Sequence, residues 1–107
     1  MLQKQGSTTG TVADTYASVL SIPKFQYYEK IVIHIKNTGV SNTLDYKIMA
    51  YAKNGGDLYE EIPGETVLAA GATDTIKIAN TAYATLDIQM QKNTTASTYA
   101  IEYCMKG

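Results

Sequence analysis

The residues able to act as nucleophile and base are Cys104 and His34, the sole cysteine and the sole histidine of the chain. A thiolate–imidazole pair requires the two within hydrogen-bond reach and a third group that orients the base. Both residues fall in the middle of strand-like segments, whereas sites are usually built on loops. The expected state is a half-exposed strand histidine and a small buried thiol. Zinc takes several nitrogen or sulfur ligands, and this chain has a single residue of each kind. The nearest approach to a calcium loop is Asn54-Gly55-Gly56-Asp57 with Glu60 and Glu61. Its spacing does not match the oxygen-rich calcium pattern, and a hairpin turn accounts for it. Glu60 and Glu61 are neighbours, so in a strand they point to opposite faces and cannot flank a glycosidic bond. No glycine-rich loop opens a helix that could hold phosphate. Asn93-Thr94-Thr95 is a glycosylation sequon, relevant only in a eukaryotic secretory setting. The reading is of a protein that is not an enzyme, with no catalytic residue, no metal ligand and no cofactor.

Composition narrows the partners. The 107 residues carry a formal net charge of −1, and every basic residue is a lysine. The lysines run from Lys4 to Lys106 without clustering in sequence. Nucleic-acid binders need a basic stripe, usually with arginine, so nucleic acid is not expected as a partner. No polybasic patch points to a membrane surface. No window approaches the roughly 18 apolar residues of a membrane helix. Met1-Leu2-Gln3-Lys4-Gln5-Gly6 lacks the apolar run of a signal peptide, and a lone thiol cannot close an internal disulfide. These features suggest a protein made soluble in a reducing cytoplasm.

The elements that would hold these residues are strands. Residues 1–10 contain one apolar side chain beyond the initiator, Leu2, and the flexible composition Gly6-Ser7-Thr8-Thr9-Gly10. They are expected to form a flexible N-terminal arm, either a frayed terminus or an arm that orders on a neighbouring subunit. Residues 11–107 are expected to form one domain. Thr11–Leu20 is rich in β-branched residues. In Lys30–Lys36, Ile31, Ile33 and Ile35 alternate with Val32, His34 and Lys36, a period of two. Thr43–Ala52 places Leu44, Tyr46, Ile48 and Ala50 on one face. Leu58–Ile62 stops at Pro63-Gly64, and Thr66–Ala69 is brief. Thr73–Ala79 points Ile76 and Ile78 inward, and Ala84–Gln91 does the same with Leu86, Ile88 and Met90. Thr98–Met105 puts Tyr99, Ile101, Tyr103 and Met105 on one face. No segment carries a helical stripe. Roughly seven or eight short strands at this spacing predict an all-β fold, an antiparallel β-sandwich or jelly roll.

The chain has nine tyrosines, one phenylalanine and no tryptophan. Tyr46, Tyr99 and Tyr103 share faces with aliphatic residues and are assigned to the core. Tyr27, Tyr28, Tyr51 and Tyr59 lie at strand ends or on the opposite face. With Leu2 they are the candidate interface residues, because tyrosine supplies large, stiff contact area. Tyrosines beside polar amides in a groove would instead suit carbohydrate.

One stretch resembles a known group of proteins. Ile35-Lys36-Asn37-Thr38-Gly39 is followed by Asn42-Thr43-Leu44-Asp45-Tyr46-Lys47-Ile48. Then come Thr66-Val67-Leu68-Ala69-Ala70-Gly71-Ala72-Thr73-Asp74 and Tyr83-Ala84-Thr85-Leu86-Asp87-Ile88-Gln89-Met90. Over roughly residues 31–91 this order is similar to small β-sandwich virion structural proteins of tailed phages and related viruses. The resemblance implies a capsid decoration, cement or minor capsid or fibre-associated subunit, located in the virion. Its implied partners are other virion or capsid proteins and copies of itself, a trimer among the forms expected. A carbohydrate- or cell-surface-binding module is the alternative.

Overall fold

The computed structural model describes residues 3–23, 28–79 and 83–107. Nine strands follow one another: β1 (Gln3–Thr11), β2 (Ala17–Pro23), β3 (Lys30–Asn37), β4 (Leu44–Tyr51), β5 (Tyr59–Glu61), β6 (Thr66–Leu68), β7 (Thr73–Ala79), β8 (Thr85–Lys92) and β9 (Thr98–Lys106). They form two sheets, ordered β1-β9-β3-β7 and β2-β8-β4-β5, with β6 also paired to β4. Every pairing is antiparallel. β5 and β6 run one after the other along β4, joined through Ile62 N–H to Ile48 O at 2.8 Å and Ile48 N–H to Pro63 O at 3.0 Å. Taken as one interrupted strand, they complete the strand order of a jelly roll. The expected sandwich is therefore the observed architecture.

Alternation builds the core. Ile31, Ile33 and Ile35 of β3 meet Leu44, Tyr46, Ile48 and Ala50 of β4 within one buried cluster. Leu86, Ile88 and Met90 of β8 and Ile101 and Met105 of β9 belong to the same cluster. Each fully buried aliphatic side chain of this kind contributes roughly 1.5–3 kcal/mol. Four polar residues are also buried: Asn37, Asp45, Thr85 and Ser97.

Two expectations are corrected at the N-terminal end. Gln3–Thr11 is not an arm separate from the sandwich; it is an edge strand paired with β9 from Gln3↔Lys106 to Thr11↔Thr98. Its inward positions are Gly6, Thr8 and Gly10, so it shows no apolar alternation. The space is filled from β9, where Tyr103 and Tyr99 lie over Gly6 and Gly10. Thr11–Leu20 is likewise not one strand. Residues 12–16 cross from one sheet to the other, held by Val12 N–H to Ser97 O at 2.9 Å and by Lys92 N–H to Ala13 O at 2.8 Å. Buried Val12 gives this crossing its apolar anchor. The Asn54-Gly55 signal also resolves differently. The turn is closed by Gly56 N–H to Lys53 O at 3.0 Å with Gly55 at φ 76°, at the tip of a longer loop between β4 and β5.

Candidate interaction surfaces

The register defines the outer face of the β1-β9-β3-β7 sheet row by row. Gln3, Lys106, Lys30 and Ala79 form the first row, and Gln5, Cys104, Val32 and Lys77 the second. Ser7, Glu102, His34 and Thr75 form the third, and Thr9, Ala100, Lys36 and Thr73 the fourth. Four lysines thus share a face with one carboxylate, Glu102. The lysines look dispersed along the chain, and the topology gathers them.

This face also places the two residues of nucleophile and base type. His34 is exposed, directly across from Glu102, and its Nδ1 lies 2.9 Å from Thr75 Oγ1. Cys104 is half-buried on the outward side of β9, not enclosed as expected, because the core positions of that strand are the odd-numbered ones. Gln3 Nε2 donates to its sulfur at 3.8 Å. Among the described residues no group of three His, Cys, Asp or Glu side chains is placed to hold a metal ion. Among them too, no helix is long and apolar enough to cross a membrane.

The outer face of the other sheet is acidic and rich in amides. Asp87 accepts from Ser18 Oγ and from Gln89 Nε2, the latter at 2.9 Å. Asp45 accepts from Asn93 Nδ2 at 3.0 Å and Gln91 Nε2 at 3.3 Å, and Gln91 also reaches Glu65 at 3.4 Å. Lys47 is the one lysine among them; its Nζ sits 3.4 Å from Glu61 and 4.4 Å from the centre of the Tyr16 ring. The Tyr16 hydroxyl is held protonated well above the usual tyrosine range, first by burial and then by the Glu65, Asp45 and Glu61 carboxylates.

The candidate interface residues do not converge as one set. Tyr51 and Tyr59 are cross-strand neighbours with ring centres 5.6 Å apart and planes tilted by 54°. Tyr28 is partly buried against the core. Leu2 and Tyr27 lie outside the described residues. Beside Tyr51, an open cleft of about 290 Å³ is lined by Ser18, Ser21, Asn54, Thr85 and Asp87.

The third surface is the outer edge of β1, which among the described residues pairs with no strand but β9. The Val12 amide points at Ser97 of the β9 side, and hydrogen bonding alternates along an antiparallel pair. Even-numbered residues of β1 therefore bond β9. Gln5, Ser7, Thr9 and Thr11 direct their N–H and C=O groups outward. The remaining edges are guarded in the ways natural sheets use. β2 carries a bulge between Ser18 and Leu20 and ends at Pro23, and β5 and β6 have three residues each. β7 bears Asp74 and Lys77. From Gln5 to Thr11, β1 has no charge, proline or bulge. Sequence reasoning missed this surface because it found no strand there.

The two sheets define a jelly-roll β-sandwich. No family model matches the chain, and no curated protein matches it in sequence. Solved structures share the fold. PirA superposes with a TM-score of 0.67 at 19% identity, over 91% of this chain and 92% of that one. The SPBc2 prophage-derived protein YomS gives 0.63 at 9% identity, over 98% and 95%. A protein of the Bacillus endospore appendages, described as a family of disulfide-linked pili, gives 0.61 at 11% identity, over 98% and 87%. At these identities the likeness is one of fold.

Proposed function

We propose that the chain is a structural subunit of a viral or appendage-like particle, a decoration, cement or minor capsid component that holds neighbouring subunits together. The observation that carries this reading is the unguarded outer edge of β1. A long uncharged edge is a template for pairing with another chain, and an unassembled protein normally blunts it. Strand pairing supplies main-chain hydrogen bonds without demanding particular side chains, which suits repeated contacts in a particle. The fold it shares with a prophage-derived protein and a pilus-forming appendage protein supports the same reading. Sedimentation velocity over a wide concentration range tests it. Species at multiples of the 11.6 kDa chain mass are expected. A lone monomer at every concentration that also ignores virion and appendage particles would refute it.

The cleft beside Tyr51 favours a second reading, a carbohydrate-binding module. A carboxylate, an amide and three hydroxyls surround an aromatic ring there, the donor–acceptor mixture that sugar hydroxyls require. A glycan array with hits lost in Asp87→Ala is the result this reading expects, and an array without hits removes it.

A further inference from the structure

The two broad faces of the molecule carry opposite charge. On one, Lys30 stands directly opposite Lys106, and Lys77 sits in the adjoining row. Like charges directly opposed across strands destabilise a sheet. The ion pairs among the described residues are Lys47–Glu61 and Lys92–Asp14, so these three lysines are left without carboxylate partners there. They surround a hollow of about 370 Å³ whose floor is Val32, Ala79 and Cys104. On the opposite face Glu61, Glu65 and Asp87 outnumber Lys47, with Asp45 buried beside its amide donors.

We infer that the lysine face of one copy docks on the carboxylate face of the next, so that copies stack sheet on sheet. The inference rests on the structural-subunit reading and names a second contact for it, independent of the β1 edge. The molecule measures 40 × 29 × 17 Å, so its sheet faces are its broadest surfaces. A contact between two different patches is heterologous and leaves both ends open, which generates stacks rather than closed dimers. Each exposed ion pair contributes little alone, so several must form together, and salt weakens them all. Stacking relieves the Lys30–Lys106 repulsion, which isolated subunits retain.

A charge swap tests this. The first variant is Lys30→Glu/Lys77→Glu/Lys106→Glu, with both faces acidic. The second is Glu61→Lys/Glu65→Lys, with both faces basic. Static light scattering at low salt should show the unmodified chain forming species that grow with concentration and become smaller in concentrated sodium chloride. Each variant alone should associate roughly tenfold more weakly or worse. An equimolar mixture should recover association, because acidic and basic copies then alternate; misfolded variants could not rescue each other. Variants that associate as the unmodified chain does, or a mixture that recovers nothing, overturn the stacking. The β1 edge is read separately, by Ser7→Pro. Loss of assembly there with no effect of the charge swap would retain the structural subunit and discard the stacking. A swap that behaves as expected beside an inert Ser7→Pro would do the reverse to the edge contact.

Discussion

Tyr46, on the inner face of β4, donates its hydroxyl to the Asp74 carboxylate of β7 at 2.7 Å and so ties one sheet directly to the other. A hydrogen bond to a charged acceptor is worth about 1.5–3 kcal/mol. Asp74 is half-buried beside an open groove, so water can take the place of the lost donor. Tyr46→Phe is therefore expected to destabilise the fold by about 1–2 kcal/mol. Urea denaturation should show a lower midpoint at an unchanged slope.

The same pair sets an alkaline limit. Burial, followed by the bond to Asp74, raises the Tyr46 hydroxyl well above its ordinary value, and Tyr16 is raised as well. The folded chain keeps these protons after the unfolded chain has lost them near pH ~10. Their contribution is thus fully present below that pH and is lost as pH rises beyond it. Stability measured between neutral and strongly alkaline pH should fall more gently in Tyr46→Phe. A decline as steep as that of the unmodified chain would show that Tyr46 does not contribute to it.

Asn37 is fully buried and its amide is saturated. Its Nδ2 donates to Asn42 O at 2.8 Å and Leu68 O at 3.0 Å, while its Oδ1 accepts from Gly39 N–H at 2.9 Å and Ser97 Oγ at 2.7 Å. One side chain joins the loop after β3 to the end of β6 and the start of β9. Asn37→Ala strands several of these groups and should cost about 3 kcal/mol or more. Asn37→Asp turns a donor into an acceptor facing two carbonyls and should be worse. Thermal unfolding ranks the two.

Gly6 and Gly10 are required by their partners across the ladder. A Cβ on Gly6 would stand 2.5 Å from the Tyr103 hydroxyl and 2.6 Å from its ring, and one on Gly10 would stand 2.7 Å from the Tyr99 hydroxyl. Gly6→Ala should cost about 1–3 kcal/mol through displacement of the ring. Gly6→Ala combined with Tyr103→Leu should recover part of that loss. Equal stability of the single variant and the unmodified chain would show that the ring moves freely.

These glycines also explain what the sequence concealed. Five strands, β3, β4, β7, β8 and β9, follow from alternation, as in Ile31, Ile33 and Ile35, because each carries its own inward apolar side chains. β1 does not; Tyr99 and Tyr103 fill its inward positions from the neighbouring strand, so a stretch of small polar residues reads as a free arm. The charged faces were hidden for a related reason. Lys30, Lys77 and Lys106 are far apart along the chain and become neighbours only through the order β9-β3-β7. The Tyr51–Tyr59 contact is local to one hairpin, but the loop between them is longer than the tight turn that Asn54-Gly55 suggested, so the sequence did not pair the two rings.

The measurement that bears most directly on assembly through β1 compares two prolines one residue apart. At Ser7 the N–H points away from β9, so Ser7→Pro removes no internal hydrogen bond and should fold while blocking strand addition. At Thr8 the N–H bonds β9, so Thr8→Pro should disturb the fold itself. Measured in concentrated sodium chloride, which screens the charged faces, mass in solution and thermal stability of the two variants should separate, with Ser7→Pro stable but unassembled. A Ser7→Pro chain that assembles as the unmodified protein does would contradict the account.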